Sequence, residues 1–134
     1  MKLTFAQLQE AGSERLPGLL GIEVYEVSEG AARARLPVTE RHQAPNGYLH
    51  AGTVVALADS ACGYGCILNL PKGASGFTTV ELKTNFLRSA RRGTIDCEAR
   101  LVHGGRTTQI WDATVIDDEG RNMALFRCTQ LVLR

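Results

Sequence analysis

The sequence predicts an α+β domain in which an antiparallel sheet of about six strands wraps one long central helix, with a short helix at the N-terminus. Three observations carry this. The run from about His50 to Asn69 has small or apolar residues on nearly all sides, which suits a helix enclosed by something larger than itself. Segments before and after it alternate apolar and polar residues with the period of a half-buried strand. The later strands follow one another through turn signals with no helix between them, which points to antiparallel pairing.

In chain order, residues 4–16 place Phe5, Leu8 and Leu16 among polar residues at loosely helical spacing, and Pro17-Gly18 is expected to stop this helix. LLGIEVYEV alternates Leu20, Ile22 and Val24 against polar or small neighbours. AARARLPV alternates Ala32, Ala34 and Leu36 against Arg33 and Arg35, and Ser28 to Gly30 forms the turn of a hairpin. A loop with Pro45, Asn46 and Gly47 leads into the long helix, which Pro71 and Gly73 end. Four strands follow as a meander: 77–88, with Val80, Leu82 and Phe86 on one face; 94–103, with Ile95, Cys97, Ala99 and Leu101; 107–117; and 121–133. Arg92-Gly93, Gly104-Gly105 and Asp118-Glu119-Gly120 read as the turns between them.

At 134 residues the chain fits a single domain, 1–134, without repeats, linkers or low-complexity segments. Fifteen basic and fourteen acidic residues give a formal charge of +1 with no basic stripe, which argues against nucleic-acid and membrane-surface binding. The N-terminus lacks the apolar core of a secretory signal, so a cytoplasmic protein with reduced thiols is expected. Cys62 and Cys66, followed by isolated Cys97 and Cys128, fit zinc spacing poorly; no metal is expected, and the four read as small core residues. The long helix carries His50, Asp59 and Asn69 and is rich in Gly and Ala. A central Asp costs about 2.5 to 3.5 kcal/mol on membrane-insertion scales, so a buried core helix is the reading.

Between Arg41 and Lys72, thirty residues contain one carboxylate, Asp59, and no Lys or Arg. An acid in such a stretch is costly to bury without partners, which makes it a candidate for chemistry. Its neighbours one helical turn away are Val55, Ala56, Cys62 and Gly63, so no local cation neutralises it. Desolvation is expected to raise its pKa, favouring a base. His50 either caps the helix start or takes part directly. His42 and His103 are expected at the surface or in loops.

The segments NGYLHAGTVVALADSACGYG, TTVELKTNFLRSA and LVHGGRTTQIWDATVIDDEGR together resemble the hotdog-fold acyl-CoA thioesterases of the PaaI-like (phenylacetate-degradation) type. The resemblance covers most of the chain beyond residue 20. It implies hydrolysis of an aryl-, short- or medium-chain acyl-CoA, with coenzyme A as part of the substrate and no separate cofactor. It also implies a homodimer joined edge to edge, commonly paired into a homotetramer, with sites at the subunit interface. Asp59 matches the family's carboxylate, as base or nucleophile. The Ala51 N–H matches the main-chain donor to the thioester carbonyl, supplied by the subunit opposite, and Thr79 matches a Ser or Thr near the attacking water. Many relatives carry Asn or Gln six residues before the His, where this chain has Ala44, with Gln43 and Asn46 beside it; at Ala51 relatives usually have Gly.

The chemistry agrees with those positions. Unpaired N–H groups at a helix start, here Ala51 and Gly52, stabilise negative charge on a carbonyl oxygen. Asp59 lies about 12 Å further along the same helix, too far to act on the same carbonyl within one subunit. For the phosphates of coenzyme A, Arg88, Arg91, Arg92 and Arg106 are candidates, with Thr107 adding a donor after the Gly104-Gly105 turn. The alternatives are a non-catalytic acyl-CoA binding protein of the same fold, and a hydratase, for which the His-Pro arrangement is missing.

Overall fold

Alternation in AARARLPV becomes burial: Ala32, Ala34 and Leu36 are buried while Arg33 and Arg35 face outward. The computed structural model describes residues 3–134. It pairs this strand, β2 (Ala31–Pro37), with β1 (Glu23–Ser28), and Gly30 makes the turn with a φ of +71° that favours glycine. Four further strands, β3 (Gly76–Phe86), β4 (Thr94–Gly104), β5 (Thr108–Ile116) and β6 (Asn122–Leu133), complete one antiparallel sheet in the order β1-β2-β4-β5-β6-β3. Its outer face is laced by cross-strand ion pairs such as Arg35–Glu23 and Arg127–Asp112, and on β6 it also carries the exposed Leu125 and Leu131.

Two short helices, α1 (Phe5–Ser13) and α2 (Leu16–Leu20), precede the sheet. Thr4 caps α1 in a reciprocal box with Gln7. Pro17-Gly18 does not stop a helix, as expected from the sequence, but lies inside α2. Proline is tolerated in a first turn because the N–H it lacks has no partner there. Leu20 is therefore helical and not part of the first strand; Gly21, at φ +79°, ends α2. Ile22 and Val24 are buried as the alternation requires.

The long helix α3 (Ala51–Leu68) lies on the inner face, mainly across β2 and β4, and buries Val54, Leu57, Ala58, Ala61, Cys62 and Cys66. Its C-terminal end is fastened by one polar cluster. Asn69 donates to the carbonyls of Gly65 (2.8 Å) and Ser28 (3.1 Å) and accepts from the Gly30 N–H (2.9 Å). Gln109 donates to the Asn69 carbonyl (2.9 Å) and accepts from Trp111 Nε1 (2.8 Å). These bonds satisfy carbonyls that a helix end leaves open. All four cysteines are free and buried, and burial pushes the Cys66 thiol up to about 12.

Two expectations about the later strands are corrected. Only β4, β5 and β6 form a meander; β3 pairs with β6 at the far edge. Residues 87–93 therefore cross the sheet to reach β4, held by Leu49 N–H to Ala90 O and Val38 N–H to Gly93 O, both 2.8 Å. Second, the β3–β6 register slips between Thr79 and Glu81, leaving Val80 without a partner. Such a bulge shifts the two-residue alternation. Thr79 and Leu82 thus face inward together, opposite Gln130 and Cys128, and Val80 does not share a face with Leu82 and Phe86.

The fold predicts a specific vulnerability where α3 meets β5. A Cβ on Gly65 would stand 2.5 Å from the Trp111 ring. Gly65→Ala is expected to lower stability by about 1–3 kcal/mol, the overpacking cost outweighing its better helix propensity. Equilibrium urea unfolding of the two proteins measures it.

Candidate functional site

At its N-terminus α3 is capped by a histidine. His50 has extended backbone (φ −67°, ψ 136°) and its Nδ1 accepts the Gly52 N–H at 2.7 Å. That contact fixes the tautomer, so the proton sits on the exposed Nε2. It also spends the Gly52 N–H, which removes Gly52 from the expected donor pair. The Ala51 N–H has no partner among the described residues and lies at the exposed helix start.

His42 braces this end. It lies in the connection between β2 and α3, as a loop residue would, but it is buried rather than at the surface. Its Nδ1 accepts the Thr39 N–H (2.9 Å) and its Nε2 faces the Leu20 carbonyl. Its own carbonyl takes the His50 N–H (2.9 Å) and the Thr53 hydroxyl (3.0 Å). A ring that fastens α2 to the start of α3 finds partners for both nitrogens, which is how an imidazole is buried at low cost.

Asp59 is part-buried where α3 meets Thr79 of β3. Burial pushes its carboxyl above the usual carboxylate range, and the Thr79 hydroxyl restrains that rise. No charged group contributes. Thr79 Oγ1 lies 3.3 Å from Asp59 Oδ1 and 2.7 Å from Gln130 Oε1. Asp59 and Thr79 are thus brought together across α3 and β3. Ala51 lies on the same helix as Asp59 at a separation of about 12 Å by helix rise.

The loop before α3 uses its amides on itself. Asn46 Oδ1 accepts the Tyr48 N–H at 3.1 Å, and Gln43 Nε2 donates to the Arg91 carbonyl at 2.9 Å. The chain places neither amide at Asp59, and between them stands the methyl of Ala44.

Of the cations, Arg88 and Arg91 gather near the helix start. Arg91 stacks on the Tyr48 ring at 4.3 Å, and Arg88 Nε donates to the Asn122 carbonyl at 3.2 Å. Arg88 also borders a cavity of about 350 Å³ lined by Leu49, Ala51, Val54, Phe86, Leu87 and Met123. Arg92 is exposed in the same segment. Arg106 and Thr107 lie at the opposite end, where the Arg106 carbonyl accepts from Arg134 and the Thr107 carbonyl from the Val132 N–H. The length of α3, about 27 Å, separates the two groups within one chain.

Sequence reasoning missed Gln130. The signal was available: Cys128, Gln130 and Val132 alternate toward the core, so an amide occupies an inward slot.

Known proteins share this fold. Residues 46–124 match the family described as the thioesterase superfamily. A 1,4-dihydroxy-2-naphthoyl-CoA hydrolase of Listeria monocytogenes is 34% identical over 82% of this chain and 89% of its own. The crystal structure of a Haemophilus influenzae thioesterase superposes with a TM-score of 0.90 at 28% identity, covering 100% of this chain and 93% of the other. The Escherichia coli PaaI protein of the phenylacetic acid degradation operon gives 0.83 at 25% identity, over 93% and 90%.

Two predictions follow from the capped start and the desolvated acid. His50→Ala is expected to cost about 1 kcal/mol of stability as a lost cap, whereas His50→Asn, a good capping residue, stays near the parent; thermal unfolding separates them. A carboxyl whose folded pKa is raised favours the folded state while protonated, and that contribution is lost as pH rises from the ordinary carboxylate range through the raised value. Asp59→Asn is therefore expected to melt higher than the parent at neutral pH, with the advantage vanishing below about pH 4.

Proposed function

This chain belongs to the PaaI-like hotdog thioesterases and is a hydrolase of acyl-CoA thioesters; from that premise we propose that Asp59 is its general base and the Ala51 N–H its carbonyl donor. One observation carries the proposal: the only carboxylate of α3 is desolvated, free of cations and set against a hydroxyl. Asp59 takes a proton from a water held with Thr79, and the water oxygen bonds to the thioester carbon. The carbonyl oxygen becomes an oxyanion facing Ala51 N–H and His50 Nε2–H, at the positive end of the helix dipole. The C–S bond then breaks, and the leaving thiolate takes the proton from Asp59, giving the free acid and coenzyme A.

Two chains are needed. Base and donor are about 12 Å apart on one helix, so each site takes Asp59 from one copy and Ala51 from another. A homodimer, or a homotetramer built from two dimers, meets this requirement. Arg88 and Arg91 then receive coenzyme A phosphates beside the donor, while Arg106 and Thr107 reach such a site only from the second copy. An aryl group is the favoured acyl part, in line with the naphthoyl-CoA relative, with short and medium chains as further candidates. The reaction so written calls for no resident cofactor, and the reduced, buried thiols suit a cytoplasmic setting. Ala44, with Gln43 and Asn46 engaged elsewhere, supports a second reading: binding of acyl-CoA without cleavage.

Thiol release from aryl-, short- and medium-chain acyl-CoAs tests this. Asp59→Asn is expected to lower kcat by about 10²- to 10⁴-fold with the oligomer unchanged. Ala51→Pro removes only the donor, because proline suits the first helical position and the extended His50 backbone suits the residue before it. Mixing the two inactive variants is expected to restore about a quarter of parental activity, since half of the resulting dimers carry one intact site. Absence of recovery sinks the shared site, and bound but intact thioester supports the binding reading.

A further inference from the structure

Two glutamines face each other across neighbouring strands on the inner side of the sheet, Gln109 on β5 and Gln130 on β6, at 1% and 0% exposure. An amide buried in an apolar core costs free energy unless its groups are paired, so each needs a reason. Gln109 has a structural one, since both its amide groups are used between Trp111 and the Asn69 carbonyl. Gln130 bonds to no backbone group among the described residues. Its oxygen meets Thr79 Oγ1 at 2.7 Å, and its nitrogen finds only the Cys128 sulfur, at 3.4 Å, a weak acceptor.

The register adds direction. Thr79 stands opposite Gln130, and the bulge at Val80 begins just beyond it, next to the point where Thr79 approaches Asp59. We propose that Gln130 is a positioning residue for the hydrolysis, holding the Thr79 hydroxyl against Asp59. The inference rests on Asp59 being the reacting carboxylate.

A hydroxyl has one proton, and Thr79 has two oxygen neighbours. With that proton on Gln130 Oε1, the Thr79 oxygen presents a lone pair to Asp59, an arrangement that suits a protonated acid. For an ionised Asp59 the hydroxyl must turn and donate to the carboxylate, and the neighbour must then supply a donor in place of an acceptor. A primary amide does both by a half-turn, which brings Nε2 to Thr79 and Oε1 to the Cys128 thiol. A carboxylate only accepts, and an aliphatic side chain does neither. The groups facing Asp59 are Thr79 on β3 and the Cys62 thiol on its own helix, with no cation among the described residues. Gln130 thus lets one hydroxyl serve both protonation states through which the base passes.

The test compares Gln130→Met, which keeps the shape and drops the amide, with Gln109→Met as the structural control. Gln130→Met is expected to lower kcat about tenfold or more with KM within about twofold and thermal stability near the parent, whereas Gln109→Met lowers stability. Thr79→Val and Gln130→Met combined should be no slower than Thr79→Val alone, because both remove the same hydrogen bond. Parental kcat in Gln130→Met, or losses that multiply in the double variant, overturns the proposal. If Gln130→Met does not fold, the side-chain amide resonances of Gln130 in the parent decide: they should move on Asp59→Asn while those of Gln109 stay, and no movement overturns it. Full activity in Asp59→Asn would instead remove the reading beneath, which keeps the two failures distinct.

Discussion

A helix about 10 Å across cannot cover a six-stranded sheet about 24 Å wide. That mismatch organises this molecule. α3 lies over β2 and β4, so the inner faces of β3 and part of β6 are left to something else, and Leu82 and Phe86 remain 42% and 49% exposed although they point inward. Asp59 sits at the boundary. It is covered enough for its charge to be disfavoured, yet it remains only partly buried. The uncovered strip lies on the flank of the sheet beside Asp59, and the dimer proposed above would cover it while bringing Asp59 of one copy to Ala51 of another.

The helix start shows how much of the architecture serves orientation. His42, buried between α2 and the loop, holds the backbone of His50. His50 in turn spends one ring nitrogen on Gly52 and presents the other. The result is a helix start with a defined tautomer and, among the described residues, one unpaired N–H. At the other end Asn69, Gln109 and Trp111 fasten the helix, so both termini are fixed independently of the apolar contacts between them.

Much of this was legible in the sequence. β2, β5 and β6 declare themselves by alternation, α3 by its length and small residues, and Asp59 by being alone. Strand order was not legible, because nothing local tells β3 that its partner is β6, nearly fifty residues on, and not the next strand. Pro17 was misread because a proline that ends one helix and a proline that begins another look alike. Gln130, His42 and the loop amides escaped for a shared reason. Whether a polar side chain is buried, and on whom its hydrogen bonds are spent, depends on contacts from other parts of the chain.

The unpaired residue at position 80 gives β3 two separate phases. Upstream of it the strand delivers a hydroxyl to the carboxylate; downstream it delivers Leu82 and Phe86, with Thr84 between them, to the open flank of the sheet. Without the extra residue one of those halves would turn over, since every side chain in a strand changes sides with a shift of one. Insertions and deletions here are therefore all-or-none, while point changes on either half leave the other half's orientation untouched. The two halves of one strand can drift separately.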